Sequence, residues 1–396
     1  MPREKFQNSV ALVLGGHVNG YSIVKELYEQ GIREIAVLDQ GRSLARFSNK
    51  VVFRGKIDKT PQSLLDQIEK IHEKYERIVV FPTDDLQLEN LHKIYHQIVD
   101  YCYLPFNDET LLESSDKFFQ YLTCERSGVP YPKTVSVKKK DDLYQVTQLA
   151  FPLLVKPSTR KDLTIHVFRS LYLGGILEYE KNKARLCEFM EQGIEFIVSE
   201  YIPGDDTNIY AYTCFRSQGG EILNEWIGKK LTQYPDNYGV FCSASNEAPE
   251  DVLLQGRTLV EALNAFGIVE PEFKYDYRDG KYKLMETNLR SMMWHRAGSV
   301  SGVKLHETQF NDAINKPVIH YEQNKVSVVH FVLMLHEIPN LIARKGYWKH
   351  FKHNVFGGER RVWAIYEFRD LKPFLYSLLL LLKMGVAACL RRFGLQ

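Results

Sequence analysis

Apolar positions in the first hundred residues form short continuous runs: VALVL (10–14), EIAVLD (34–39), VVF (51–53) and RIVVFP (77–82). Stretches of helical character lie between and after them, at 21–30, 61–76 and 86–99. A strand that is apolar throughout has both faces covered, and strands separated by helices of about 10–15 residues pair in parallel. The pattern predicts an open parallel α/β domain over 1–115. It ends near NDETLLESSD (107–116), where polar capping residues precede a new helix at 116–127.

The pattern then changes. Residues 117–205 read as a smaller α+β unit, with the helix, the turn SGVP (127–130) and strands at 151–156 and 196–202. Beyond 206 come strands at 209–215, 221–227, 271–277 and 282–288, the last two joined by RDGK (278–281), whose Asp–Gly pair is a hairpin signal. These elements predict a second domain over 116–310, its small subdomain about 117–205, and a C-terminal basic and apolar helical segment over 311–396.

The 396 residues carry 51 Lys+Arg against 49 Asp+Glu, a formal charge of +2, with 44% hydrophobic residues. That composition excludes a disordered or collagen-like chain, and so small a charge gives no global field to attract nucleic acid. The near-neutrality is an average. Residues 344–396 hold eleven Lys/Arg against three acids, leaving 40 basic and 46 acidic residues in 1–343. Six scattered cysteines without a CxxC pair, and a polar start, MPREKFQNSV, lead us to expect a cytoplasmic protein whose cysteines are small buried hydrophobes.

Four places carry candidate chemistry. LGGHVNG (14–20) turns a first strand into a helix, with Asp39 ending the second strand. Its GGxxxG spacing departs from the dinucleotide fingerprint GxGxxG. It serves close strand–helix packing, or a small ligand near His17 or Asn19, or, as a remote alternative, the nicotinamide of an oxidoreductase. Lys156 in LLVKP (153–157) ends an apolar strand, as a phosphate partner or as a lysine snorkelling at a sheet edge. SEYIPGDD (199–206) runs a strand into a Pro–Gly turn, offering backbone groups to a purine edge and a carboxylate to a ribose. Finally Glu286, Asn288 and Arg290 alternate along one strand and so share a face, with Glu272 on the preceding strand. Two carboxylates and an amide oxygen suit Mg²⁺, and an Arg on that face neutralises a phosphoryl group; the bland reading is an acidic hairpin face.

In this order the four motifs LLVKP, SEYIPGDD, PEF (271–273) and METNLR (285–290) resemble the signature of the ATP-grasp superfamily, closest to its carbamoyl-phosphate-synthase-like and D-aspartate-ligase-like carboxylate–amine ligases. The resemblance covers roughly 10–310, the first domain resembling the pre-ATP-grasp domain and SSDK (114–117) a nucleotide-contacting helix start. It implies Lys117 and Lys156 on ATP phosphates, Glu200 and Ile202 at the adenine edge and Asp206 on the ribose. It further implies Glu272, Glu286 and Asn288 on Mg²⁺, or Mn²⁺ in its place, with Arg290 on the transferred phosphoryl group. Lys230 in WIGKK (226–230) stands where relatives carry a base near the acyl phosphate, Lys229 being the alternative. Two departures stand out: STRKDLTI (158–165) lacks the glycines of the usual phosphate-covering loop, and Asn–Leu–Arg (288–290) replaces Asn–Pro–Arg.

The implied function is ATP- and Mg²⁺-dependent joining of a small-molecule carboxylate to an amine through an acyl phosphate, by analogy on a cell-envelope precursor. The alternative is an ATP-binding sensor without ligation. Arg296 or Ser299 in WHRAGSVSG (294–302) would grip a substrate carboxylate, unless Trp294 uses that segment for loop packing. The 17 residues 374–390, with Lys383 the one charge, would span about 25 Å as a helix, short of the roughly 30 Å hydrocarbon core. Residues 372–396 therefore read as a helix on an anionic inner membrane face, or packed on the body or on a homodimer partner, and not as nucleic-acid binding.

Overall fold

The computed structural model describes residues 6, 8–41, 43–158, 167–168, 170–235 and 239–392, and no side chain at Asp206, Val240 and 387–392. Strands β1 (Ser9–Leu14), β2 (Ile35–Asp39), β3 (Phe53–Lys56), β4 (Arg77–Pro82) and β5 (Cys102–Tyr103) form a wholly parallel sheet ordered β3-β2-β1-β4-β5. Alternate residues of β1 enter opposite cores. Val10, Leu12 and Leu14 pack with Leu64 and Ile68 of the helix Pro61–His72, whereas Ala11 and Val13 pack with Tyr21, Val24 and Leu27 of the helix Val18–Glu29. Two-sided burial is what the unbroken apolar runs require, each fully buried Val or Leu contributing about 1.5–3 kcal/mol.

Four antiparallel strands form a small sheet: β6 (Thr134–Val137), β7 (Leu153–Pro157), β8 (Leu171–Leu173) and β9 (Phe196–Glu200), ordered β6-β9-β7-β8. The helix Ile176–Glu191 covers it, and Val155, Leu173, Tyr179, Leu186, Phe196 and Val198 make a core of their own.

The large sheet contains β10 (Ile209–Arg216), β11 (Ile222–Tyr234), β12 (Val240–Ser245), β13 (Gly267–Asp276), β14 (Lys281–Asn288), β15 (Val329–Val332) and β16 (Arg360–Trp363). Its order is β14-β13-β10-β11-β12-β15-β16, antiparallel except for the last pair. The Asp–Gly hairpin forms as expected, with Gly280 at φ +70° and its N–H donating to the Asp276 carbonyl at 2.8 Å. The segment after 310, read as helical, gives β15 and β16 to this sheet, interleaved with the helices Met334–Ala343, Trp348–Phe356 and Leu371–Arg392. Buried polar groups hide these strands from a hydrophobicity pattern. Ser243 on β12 and Thr232 on β11 donate to Glu337, which is fully buried, and His330 sits inside β15.

The end of β14 lies over the first sheet. Asn19 Nδ2 donates to the carbonyls of Thr83 (3.2 Å) and Ser291 (2.6 Å), and Gln309 Nε2 donates to that of Val80 (2.8 Å). At the turn after β1, Gly15 adopts φ +94°, and a Cβ on Gly20 would fall on the Gly15 carbonyl oxygen. The glycines of 14–20 thus bring helix and strand into close contact.

Candidate active site

Glu272 and Glu286 stand directly opposite each other in the β13–β14 register, and Glu270 opposite Asn288. Like charges placed so are destabilising unless a cation joins them. Three lysines from separate elements supply positive charge. Lys117 opens the helix Lys117–Ser127, whose Asp116 cap accepts from the Phe119 N–H at 2.8 Å, and its Nζ lies 2.5 Å from Glu286 Oε2. Lys230 on β11 lies 3.7 Å from Glu272 Oε2 and 4.0 Å from the centre of the Phe241 ring. Lys156, near the end of β7, acts on Glu286 from the small sheet. Burial would raise the Glu286 carboxyl, but Lys117, Lys156 and Lys230 outweigh it and hold it at about 2. Glu272 shows the opposite balance: burial pushes it up to about 7 against the pull of Lys230.

Strand alternation decides between the two lysines of β11. Lys229 pairs with Glu247 at 3.6 Å, and Lys230 faces Glu272. Asn288 Nδ2 donates to Glu272 Oε1 at 3.2 Å, a bond that leaves its amide oxygen unused. Arg290 Nε donates to Asp85 Oδ1 at 2.6 Å, so the arginine that follows the carboxylate strand is moored to the helix Asp85–Lys93 of the first sheet. His17 is exposed just ahead of the helix Val18–Glu29, within electrostatic reach of Asp84.

Glu200 ends β9 with its Oε1 accepting from the Ala150 N–H at 3.0 Å, and Ile202 is buried. The segment after β9 is tied to the large sheet: Arg278 Nη2 donates to the Tyr201 carbonyl (3.2 Å) and Lys274 Nζ to that of Gly204 (2.6 Å). Asp206 begins the short turn Asp206–Asn208, and its side chain lies outside the described residues, as do 159–166 of the glycine-free stretch.

The two candidates for gripping a substrate carboxylate are Arg296 and Ser299. Both lie in the helix Arg296–Val300, where the Arg296 guanidinium binds Glu29 through two bonds of 3.1 and 2.9 Å. Glu29 ends the helix that leaves the glycine turn at Val18, a 12-residue helix about 18 Å long. The arginine fastens that helix's far end, and Ser299 shares the arginine's own short helix. Trp294 takes the packing role, its ring 4.7 Å from Trp226 and stacked on Phe241 at 5.0 Å. Asp39 is also engaged, accepting from Gly41 N–H (2.9 Å), Ser43 and Arg46.

Sequence reasoning missed Glu270 and His295. Glu270 is fully buried and burial pushes its carboxyl up to about 8; its Oε2 meets His295 Nε2 at 2.5 Å and accepts from Thr213 at 3.2 Å. Burial holds His295 well below its ordinary value. The signal was available, because Glu270 precedes Glu272 by two residues and so shares its face. Asp85 had only its place after β4 to mark it.

Among the described residues no three His, Cys, Asp or Glu side chains cluster as a metal site. The fit rests on the donor set: two opposed carboxylates plus an amide oxygen, hard ligands that leave positions open, now partly neutralised by lysines. The Lys117 side chain is 37% exposed.

No family model matches the chain. A D-aspartate ligase of Enterococcus faecium is 26% identical over 333 residues, covering 78% of each protein. An N5-carboxyaminoimidazole ribonucleotide synthetase in complex with ADP superimposes with a TM-score of 0.63 at 16% identity, covering 86% of each chain. A biotin carboxylase of Campylobacter jejuni in complex with a β,γ-ATP compound gives 0.62 at 11%, covering 80% of this chain and 74% of that one. The likeness to these solved structures shows the fold, an ATP-grasp arrangement preceded by an open parallel sheet.

Proposed function

We propose that this chain joins a small-molecule carboxylate to an amine in a reaction dependent on ATP and Mg²⁺, with Mn²⁺ as a substitute, and proceeding through an acyl phosphate. The observation that carries the reading is the opposed Glu272–Glu286 pair ringed by Lys117, Lys156 and Lys230. Glu272, Glu286 and Asn288 would hold Mg²⁺, which supplies charge neutralisation between nucleotide phosphates. Lys117 and Lys156 bind phosphate oxygens, while Glu200, Ile202 and Asp206 hold adenine and ribose. The substrate carboxylate oxygen attacks the γ-phosphorus, ADP leaves, and Arg290 and Lys230 hold the negative charge spread over the transferring group. The amine then attacks the acyl carbon, phosphate departs with the electron pair of the broken C–O bond, and the amine proton passes to solvent. No side-chain nucleophile is needed. His17 and Asn19 line the edge of the first sheet nearest Arg290 and Asp85, where a substrate would meet that group.

The likeness to a D-aspartate ligase supports an amino acid as one substrate, and a cytoplasmic cell-envelope precursor as the other follows by analogy. A screen of phosphate release from ATP over amino acids crossed with envelope and glycan carboxylates and amines, with mass spectrometry of products, tests this. One pairing should give an amide with ADP and phosphate in equal amounts, abolished in Glu286→Gln and Lys156→Ala. Undiminished substrate-dependent phosphate release in both variants would overturn the reading.

A further inference from the structure

The helix Leu371–Arg392 has two apolar faces, and only one is covered. Phe374, Tyr376, Leu380 and Leu381 pack onto the core shared by the first and large sheets, Ser377 is buried with them, and Tyr376 meets Phe47 at 4.6 Å. Leu371, Leu375, Leu378, Leu379, Leu382 and Val386 point outward, Leu375 at 57% and Leu382 at 65% exposure. At about 100° per residue these six fall within roughly 100° of one another around the axis, opposite the packed face, and Lys372 and Lys383 border the same edge of the stripe. The helix cannot swing freely. The residue before it, Asp370, is buried and accepts from Tyr21 (3.1 Å), Ser48 (2.5 Å) and the Asn49 N–H (3.1 Å).

We infer that this outward stripe docks on an anionic lipid surface. Charge selects the occupant. The helix sequence holds four Lys/Arg and no acid, so a second copy laid along it would bring like charges together with nothing to pair them. A surface of anionic headgroups complements them while the leucines enter the acyl boundary. Among the described residues no helix is long and apolar enough to cross a membrane, which suits a helix lying in the interface plane. Sequence reading posed body packing and membrane contact as alternatives; the helix uses opposite faces for the two. The inference goes beyond the proposed reaction and does not depend on it.

The test is flotation of the full-length chain with phosphatidylcholine vesicles containing phosphatidylglycerol, and with phosphatidylcholine vesicles alone. The chain should float with the anionic vesicles only, and release as salt rises. Lys372→Glu and Lys383→Glu should each weaken binding at least about fivefold. Leu375→Glu/Leu382→Glu should abolish it while thermal melting and ATP binding stay as in the parent. No flotation of the parent, or equal flotation with neutral vesicles, overturns the inference. So does a sedimentation-velocity dimer that the double-leucine variant converts to monomer, because the stripe would then belong to a second copy.

Discussion

Replacing Lys230 with methionine removes one charge from the site and keeps an apolar stem against Phe241. Lys230 Nζ lies 3.7 Å from Glu272 Oε2, and both side chains are more than nine-tenths buried, at 7% and 5% exposure. At that separation an effective dielectric of about 20 gives roughly 4 kcal/mol, of which a shift of about one pK unit needs only about 1.4 kcal/mol. Glu272, pushed up to about 7 by burial with Lys230 opposing, should therefore rise to about 8 or above in the variant. The sign follows from ligand chemistry. A protonated carboxyl does not hold a divalent cation, so metal affinity rises with pH through the Glu272 value. In the parent protein, affinity at about pH 8 should exceed that at about pH 6 by roughly tenfold. Lys230→Met should move the midpoint of that rise upward by at least about one unit, and Lys230→Arg should leave it near the parent's. Mn²⁺ binding by electron paramagnetic resonance in the presence of ADP, over a pH series, reads this without turnover. An unchanged midpoint in Lys230→Met would refute the coupling, even if activity fell.

Gly20→Ala should destabilise the protein by about 3 kcal/mol in urea unfolding, because its methyl meets the Gly15 carbonyl oxygen, a backbone atom with no rotamer to yield. Gly175→Ala, with nothing within 4 Å, should cost only a few tenths. Glu26 and His306 form a buried pair at 2.9 Å, and although burial would raise the Glu26 carboxyl, His306 holds it below its ordinary value. A depressed folded-state carboxyl contributes stability above the unfolded value and loses it as pH falls through the folded one. Glu26→Gln should thus be most destabilising near neutrality, the gap closing in acid, as urea unfolding at stepped pH will show.

The first sheet was readable because a strand buried on both faces has no polar position to break its run, as in β1 and β4. The carboxylates were readable for a related reason: Glu286 and Asn288 alternate within β14, so spacing alone puts them on one face, whereas Arg290 lies just beyond the end of that strand. What escaped depends on partners distant in sequence. Nothing near Arg296 announces Glu29, and nothing near Arg290 announces Asp85, yet those acids decide where each guanidinium goes. β12 and β15 escaped because Ser243 and His330 look like surface residues until Glu337 and the Asn354 carbonyl supply their bonds. Lys229 and Lys230 stayed indistinguishable until the β11 register assigned their faces.

The small sheet keeps an apolar core separate from the one beneath the other two sheets, and Ile197, on the opposite face of β9, reaches across to the main core. Such a leaf can tilt as a unit without uncovering its own interior, at the cost of the Ile197 contact and the Arg278 and Lys274 bonds to its trailing segment. Lys156 and the adenine edge would travel with it, while the carboxylates, Arg290 and the glycine turn stay fixed to one another. In the proposed reaction, nucleotide exchange and acceptor positioning would then be mechanically separable: ADP would leave through movement of one leaf while the second substrate's seat stayed in register with the reacting phosphate.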